Sequence, residues 1–280
     1  MAIIFFLLIA VIVFFVYQKN WNKLVYLLMI LIPFFGFIIN TIRPYTNMAP
    51  LLHDLIIILP LYALFFFRKH YPTTRVLSPE LKFIIFLLIG IIIIQTINPS
   101  NKLSFIGRLV GIKVWLYYLP FIAIGFHFFE KISDLLKLCK VLSIVAIVPC
   151  LIAIAQYFSS IYFDYELTMN FFYTPEVAAS STQNYARFNV LPMLTILRIP
   201  STFTFPTQFS NYLLLSLIPV MTCIHTSKSF KEKLLYNLIL VLIILASIAS
   251  GVRGMYAFIP LFFFYFSLFY LKLFKIILSG

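Results

Sequence analysis

The chain alternates between long apolar runs and short polar turns. Its clearest runs, which carry no charged residue, are Ile3 to Val16, Phe83 to Ile94 and Leu234 to Ala246. A helix needs about 20 predominantly apolar residues to cross the hydrocarbon of a bilayer. On this criterion the pattern predicts nine transmembrane helices, at about 1–17, 24–42, 50–67, 83–97, 114–129, 141–158, 207–225, 234–250 and 255–271.

The same runs indicate the fold class. Strands of a membrane barrel alternate apolar with polar residues, whereas these runs are apolar on every face. Pro60 and Pro120 interrupt two of the runs, and membrane helices tolerate such prolines with a kink. The first run lacks a charged leading region and a small-residue cleavage site, so it is interpreted as a retained helix and not a signal peptide. We therefore predict an all-α, polytopic helix bundle that forms a single integral-membrane domain over residues 1–280.

Composition excludes most soluble classes of protein. The chain is 63% hydrophobic and 10% charged, with a mean hydropathy of +1.05, whereas soluble domains have about 45–50% apolar and about 25% charged residues. The net charge of +13 comes from basic residues in short turns, which favours contact with membrane lipids over nucleic acid. Cys139, Cys150 and Cys223 form no CxxC pair, and no phosphate-binding loop or dinucleotide fingerprint occurs, so we expect neither a metal nor a cofactor.

Basic residues predict how the helices are oriented. Alternate loops differ about twofold in their basic residues, and the richer set is expected in the cytoplasm. The N-terminus is then outside and the C-terminus inside, in a bacterial inner membrane. The richer set is Lys19, Lys23, Arg68, Lys69, Arg75, Lys82, Lys131, Lys137, Lys140, Lys228, Lys231, Lys233, Lys272 and Lys275, and the poorer set is Arg43, Lys102, Arg108, Lys113, Arg187, Arg198 and Arg253.

The longest predicted outside loop, residues 159–206, carries many polar residues, among them Asp164, Glu166 and Glu176. A connection of this length is usually functional or disordered. Within it, Phe188 to Ile199 is apolar around a central proline. We predict a short helix at the outer membrane surface for this stretch, and the alternative is a packed loop that caps the bundle.

Arginine dominates the outside loops, whereas lysine dominates the cytoplasmic ones. A guanidinium group presents a planar fork of donors that fits phosphate or carboxylate oxygens. The asymmetry favours recognition of an anion at the outer face. Anchoring to lipid headgroups is the alternative, and it is equally plausible for Arg43 and Arg108.

Two outside arginines stand in distinctive segments. Arg253 lies in the turn Ser250-Gly251-Val252-Arg253-Gly254, called here the Arg253 turn, whose glycines allow close approach of backbone amides at the start of a helix. Arg198 opens the stretch Arg198-Ile199-Pro200-Ser201-Thr202-Phe203-Thr204-Phe205-Pro206, called here the Arg198 segment. Gln208 and Asn211 follow just inside the next span, where polar residues are costly and often functional.

These two segments, in this order and spacing, resemble the O-antigen ligase and polysaccharide polymerase superfamily of bacterial inner membranes. The resemblance covers mainly residues 187–270, and the earlier helices match only in being hydrophobic. It implies transfer of an undecaprenyl-diphosphate-linked sugar chain to an acceptor hydroxyl at the outer leaflet, with a glycan or a lipid as acceptor. Ligase and polymerase remain open, as does the sugar.

The resemblance also implies roles for individual residues. Arg198 and Arg253, with Arg187, would bind the diphosphate and stabilise the charge that develops on it. Family members supply a histidine from a later outside loop, and since this sequence ends before such a loop we expect a truncated or split member; the alternative is a short relative with altered chemistry. Candidates for a general base are His53, Asp164, Glu166 and Glu176. His53 beside Asp54 is more simply explained as interfacial polarity, because neighbours on a helix point different ways.

Two other functions stay open at this point. A transporter or flippase for a lipid-linked oligosaccharide would also use outside arginines, but we would expect charged residues within its spans and an internal repeat. A membrane scaffold without enzymatic activity would not need an arginine-rich outer face.

Overall fold

The computed structural model describes residues 2–45, 49–67, 78–98, 104–129, 131–173, 187–191 and 194–270. The described part of the chain is helical, apart from one pair of antiparallel strands, Arg187–Leu191 and Leu194–Leu197. The α-helices are α1 (Ala2–Tyr17), α2 (Trp21–Leu31), α3 (Phe35–Ile42), α4 (Leu59–Phe66), α5 (Pro79–Ile97), α6 (Phe105–Leu116), α7 (Pro120–Phe128), α8 (Ile132–Val145), α9 (Ile147–Tyr162), α10 (Tyr165–Phe172), α11 (Pro206–Thr226), α12 (Phe230–Ala249) and α13 (Arg253–Tyr270).

Five of the described helical stretches are long and apolar enough to cross a membrane, which indicates a membrane protein. They are Trp21–Ile42, Pro79–Ile97, Ile132–Tyr162, Pro206–Thr226 and Phe230–Ala249. Three shorter apolar helices accompany them, at Phe6–Tyr17, Asp54–Phe66 and Arg253–Leu268. Each of these eight stretches overlaps a predicted span, whereas the predicted span at 114–129 is divided between α6 and α7. Proline explains the division, because Pro120 has no N–H to continue a helix and starts α7 instead.

Prolines also bend two of the long helices. A 3₁₀ turn, Ile32–Phe34, joins α2 to α3 and contains Pro33. A break at Ala146 separates α8 from α9 just before Pro149. In each case the proline ring removes one helical hydrogen bond and crowds the preceding turn. At these two places the carbonyl groups of Pro33 and Pro149 accept hydrogen bonds from the hydroxyl groups of Thr202 and Ser201.

The larger of two cores lies where α8, α9, α11 and α12 pack together. Its centre is fully buried and includes Cys150, Ala153, Leu213, Leu217, Ile243 and Ala246. Small residues let the helices approach closely, and serines within them return their hydroxyls to their own helix, as Ser143 does to the Cys139 carbonyl and Ser247 to that of Ile243. These closely packed helices hold the Arg198 segment, which precedes α11, and the Arg253 turn, which follows α12.

The second core joins the N-terminal helices to α7. Trp21 packs edge-on against Phe65 and Phe128, with ring centroids 5.3 and 6.2 Å apart. Leu24 and Leu61 are fully buried beside them. Aromatic pairs of this kind add stabilisation beyond their buried area.

The predicted outside loop 159–206 is more structured than expected. Helix α9 continues to Tyr162, and α10 follows within the loop. The predicted surface helix at Phe188 to Ile199 is wrong, because Arg187–Leu191 and Leu194–Leu197 form an antiparallel pair. Polar and apolar residues alternate from Arg187 to Val190, β-branched residues recur in the stretch, and a proline at position 192 disfavours a helix.

Candidate functional site

The Arg198 segment is irregular backbone enclosed by helices. Ile199 and Ser201 are at most 1% exposed, and Thr202 is 2% exposed. Irregular backbone at membrane depth is tolerated only where protein or a water-filled cavity satisfies its polar groups. Hydrogen bonds from several helices do so here.

Thr202 is inserted into the bend between α2 and α3. Its carbonyl oxygen accepts a hydrogen bond of 2.7 Å from the Phe37 N–H, and its hydroxyl donates to the Pro33 carbonyl. Residues 33 and 37 are the two that a regular helix would join to each other. Thr202 therefore hydrogen-bonds both the Pro33 carbonyl and the Phe37 N–H, which would otherwise bond to each other. These two bonds attach the Arg198 segment to the helices α2 and α3.

Gly36 allows this close approach. A Cβ atom at position 36 would lie 2.4 Å from the Cα of Phe203 and 2.5 Å from the Thr204 nitrogen. Atoms this close cannot coexist, and both are backbone atoms that have little room to move. The contact between α3 and the Arg198 segment thus requires glycine.

Ser201 anchors the segment to α9 and to the chain after α10. Its hydroxyl donates to the Pro149 carbonyl at 2.5 Å, while its own carbonyl accepts from Gln156 Nε2 at 3.2 Å and from the Tyr173 hydroxyl. Ser201 has a left-handed backbone with φ of 55°, a conformation that costs free energy and needs such support. Burial raises the pKa of Tyr173 well above its usual value, so the phenol stays protonated and remains a donor.

The Arg198 segment meets the Arg253 turn directly. The Ile199 N–H donates to the Ser250 carbonyl at 3.3 Å, and the Tyr165 hydroxyl donates to the Arg198 carbonyl at 3.0 Å. Arg198 is half-buried, whereas Arg253 is exposed at the first turn of α13. The two segments are therefore neighbours in space, although 55 positions separate their arginines.

Gly251 shapes the Arg253 turn. Its φ of 62° lies in the left-handed region that favours glycine, and it ends α12 just after Ser250. The turn reverses the chain so that α13 starts at Arg253. The first turn of α13 is the positive end of the helix dipole, and within it the Met255 N–H donates to the Val252 carbonyl at 3.0 Å. An anion at this place would be attracted by both the helix and the arginine.

A cluster of polar side chains surrounds Asp54, just before the start of α4. Asp54, with a side chain only 4% exposed, makes an ion pair with Lys113 of α6, and its Oδ1 lies 3.2 Å from both His53 Nε2 and the Tyr118 hydroxyl. The Tyr117 hydroxyl donates to the Asp54 carbonyl at 2.9 Å. Residues Asp54–Ile58 form a π-helical turn, a feature frequent at functional sites.

One cavity connects this polar group with the Arg198 segment. Its volume is about 680 Å³, within the usual range for ligand sites. Apolar side chains of α2, α3 and α7 form most of its wall. The polar groups that line it are His53, Tyr118, Thr204 and Gln208. The cavity is thus apolar except where the His53 region and the end of the Arg198 segment face it.

Comparison with known proteins finds no matching family model, no matching curated sequence and no matching solved structure.

Asp164, Glu166 and Arg187, which the sequence analysis names as further site residues, do not line this cavity. Asp164 caps α10, since its carboxylate accepts from the Glu166 N–H at 3.3 Å, and Glu166 is exposed. The backbone of Arg187 begins the first strand and pairs with Leu197, next to Arg198. Glu176 lies outside the described residues. No group of three His, Cys, Asp or Glu residues that could hold a metal occurs in the part of the chain that the structure describes.

Sequence reasoning missed several residues that build the site. Pro33 and Gly36 lie within a run predicted to be a plain span, and their proximity to each other was the available signal for a bend with a close contact. Gln156 is fully buried, and the signal for it in the sequence is an amide side chain within an apolar run. Lys113 was counted only as an outside basic residue, and its pairing with Asp54 required the tertiary structure.

Proposed function

We propose that this protein is a membrane glycan ligase or polymerase, which transfers an undecaprenyl-diphosphate-linked sugar chain to an acceptor hydroxyl. The observation that carries the proposal is the hydrogen bond between Ile199 and Ser250. It brings the Arg198 segment and the Arg253 turn, the two parts of the chain that resemble the O-antigen ligase and polymerase superfamily, to one place. A joint of this kind is what a shared diphosphate site requires.

The chemistry of the joint suits a departing diphosphate. Two guanidinium groups supply forked donors for phosphate oxygens. The amides at the start of α13 add donors on the same side as Arg253. Because negative charge grows on the diphosphate as the sugar leaves, donors already in position would stabilise the transition state more than the ground state.

The orientation belongs to the same proposal. Lys140 pairs with Glu232 at 3.6 Å near the start of α12, whereas Ser250 follows its end. These two positions are about 27 Å apart along a helix, close to the thickness of the hydrocarbon core. We place the lysine-rich end in the cytoplasm and the arginine joint at the outer leaflet of a bacterial inner membrane, in a bundle of nine spans.

A second candidate function has an observation in its favour. A transporter or flippase for a lipid-linked oligosaccharide is expected to carry charged residues within its spans. Asp54 begins the short apolar helical stretch Asp54–Phe66, where its buried side chain pairs with Lys113. Both candidates bind the same lipid-linked glycan. They differ in whether the bond between sugar and diphosphate breaks.

An assay of bond cleavage separates the two functions. The full-length chain in lipid nanodiscs is mixed with an undecaprenyl-diphosphate-linked oligosaccharide and an alkyl glucoside, and released undecaprenyl diphosphate is measured. A nanodisc has no closed interior, so transport contributes no signal. We expect release in the parent and a loss of about 10- to 100-fold in donor affinity for Arg198→Lys, as expected when charge-assisted hydrogen bonds worth about 1.5–3 kcal/mol are lost. Binding of the donor without any release of undecaprenyl diphosphate would contradict the transferase and favour the transporter.

A further inference from the structure

A groove of about 500 Å³ lies between α2 and α8, at the lysine-rich end of the bundle. Lys140 lines it and pairs with Glu232 near the start of α12. The groove is therefore at the opposite end of α12 from Ser250 and the Arg253 turn. It shares Phe128 with the larger cavity described above, and its other lining residues do not reach that cavity.

The groove lies at the level where three candidate spans begin. Trp21–Ile42 and Ile132–Tyr162 each start within a few residues of the groove's lining, and Phe230–Ala249 starts just before Glu232. A span begins where the hydrocarbon core gives way to the lipid headgroups. Phospholipid phosphates therefore lie at the depth of this groove.

The lining of the groove divides into a polar and an apolar part. The donor groups belong to Lys137, Lys140 and Asn22. The apolar part consists of Tyr26, Phe128 and Val141, and the rings of Tyr26 and Phe128 pack edge-on at a centroid distance of 5.3 Å. This division suits an amphiphile with an anionic head and an apolar chain.

The two lysines keep donors for a further anion. Lys137 pairs with Asp134 at 3.4 Å and Lys140 with Glu232 at 3.6 Å, all through side chains that are partly exposed. Such pairs are weak, and each ammonium group has three donors. The surrounding chain is also basic, since residues 19–23 and 128–141 together carry five lysines against two carboxylates. The groove thus attracts an anion although Asp134 is part of its lining.

We propose that this groove binds an anionic phospholipid from the leaflet on the lysine-rich side of the membrane. Its phosphate lies at Lys137 and Lys140, and one acyl chain lies along Tyr26, Phe128 and Val141. Basic pockets between membrane helices bind anionic headgroups in this way. A zwitterionic headgroup would bring its own ammonium group beside the lysines, and a free phosphate ion would leave the apolar part uncovered.

The bound lipid has a structural consequence. Tyr26 belongs to the second core, whereas α8 contributes Cys139 and Ala146 to the larger one. A lipid that contacts both α2 and α8 therefore connects the helices of the two cores. This role does not depend on the proposed transfer of a glycan.

The test uses Trp21 as a reporter of lipid in the groove. Its ring lies 6.2 Å from that of Phe128, and bromine on a nearby acyl chain quenches tryptophan fluorescence. The chain has two tryptophans, so Trp115→Phe, at an exposed position of α6, leaves Trp21 as the only emitter. The full-length chain is placed in phosphatidylcholine nanodiscs with a minor fraction of brominated phosphatidylglycerol, or with the same fraction of brominated phosphatidylcholine. We expect stronger quenching by phosphatidylglycerol.

Two double variants in the Trp115→Phe background locate the site. Lys137→Gln with Lys140→Gln should lower the preference for phosphatidylglycerol by about 5-fold for each lysine removed, the factor that corresponds to about 1 kcal/mol. Lys231→Gln with Lys233→Gln removes the same charge at exposed positions of α12, at the same end of the bundle. This control should keep the parental preference.

The remaining outcomes contradict the proposal. Equal quenching by the two brominated lipids would show that the groove does not select an anionic headgroup. An equal loss of preference in both double variants would assign the effect to general surface charge. Relief of quenching by inorganic phosphate, compared with chloride at the same ionic strength, would assign the lysines to a soluble phosphate ion and not to a lipid.

Discussion

The Ile199 N–H and the Ser250 carbonyl are joined by a hydrogen bond of 3.3 Å. This single contact closes a loop of two antiparallel helices, α11 and α12, and places the residue after Arg198 against the turn that holds Arg253. Ile199 and Ser250 are both fully buried, so the joint is part of the core and not a surface encounter. It brings two segments that are distant in sequence next to each other in the fold.

Gly36 offers the sharpest test of the packing around the Arg198 segment. We expect Gly36→Ala to lower the free energy of unfolding by about 1–3 kcal/mol or more, because the new Cβ would overlap the Phe203 backbone. Thermal unfolding in detergent measures the change. Gly90→Ala is the matched control, since its Cβ would meet nothing within 4 Å and alanine favours a helix. Equal melting temperatures for the two variants would contradict the packing.

The hydroxyl of Thr202 provides a second test. Thr202→Val keeps the shape of the side chain but leaves the Pro33 carbonyl without its donor, which should cost about 1–3 kcal/mol. Thr222→Val removes a hydroxyl that bonds within its own helix, to Ile218 at 2.8 Å, and should be nearly neutral. Denaturation monitored by tryptophan fluorescence compares the two. A neutral Thr202→Val would show that the segment does not depend on this bond.

The fold was largely accessible from the sequence because transmembrane helices depend on local composition. Apolar runs such as Leu234 to Ala246 predict α12 well, since each helix satisfies its own backbone. The surface helix predicted at Phe188 to Ile199 is wrong, because β-branched residues and a proline within the stretch favour strands over a helix. The predicted spans also ran on through Pro33, where a proline and a nearby glycine mark a bend.

The site was only partly accessible, for a different reason. Arg198 and Arg253 could be singled out by residue type and by their glycine- and proline-rich surroundings. The pairing of Asp54 with Lys113 could not, because it depends on how α4 and α6 pack, and a single sequence carries no direct record of that. The argument that His53 and Asp54 would point apart also failed, since the two side chains lie 3.2 Å from each other.

Removing one partner of the Asp54–Lys113 ion pair should lower the free energy of unfolding more than replacing both partners with apolar residues. Lys113→Met leaves a buried carboxylate without its cation and should destabilise the protein by about 3–5 kcal/mol, and adding Asp54→Leu should recover part of that loss. Lys137→Met, which breaks an exposed pair with Asp134, should cost about 0–1 kcal/mol. Melting temperatures in one detergent provide the comparison. A double variant no more stable than Lys113→Met would contradict the account of this pair.

The proposed orientation predicts opposite labelling of two exposed positions. Tyr45→Cys should react with a membrane-impermeant thiol reagent in intact cells of a bacterial host with a permeabilised outer membrane, and Lys228→Cys should react only after lysis. The three native cysteines are buried and contribute little background. The reverse pattern would place the arginine joint in the cytoplasm.

The central claim is that Arg198 and Arg253 bind one diphosphate, and a double-mutant cycle tests it most directly. The dissociation constant of undecaprenyl-diphosphate glycan is measured for the full-length parent, Arg198→Lys, Arg253→Lys and the double variant, with Arg75→Lys, on the predicted cytoplasmic side, as a control. Lysine keeps the positive charge but lacks the paired N–H donors of a guanidinium group. Each single change should therefore weaken binding by about 10- to 100-fold. If both arginines hold the same ligand, the double variant should differ from the product of the single effects by a coupling of at least about 0.5 kcal/mol. Parental affinity in both single variants, or strictly additive losses, would contradict a shared diphosphate site.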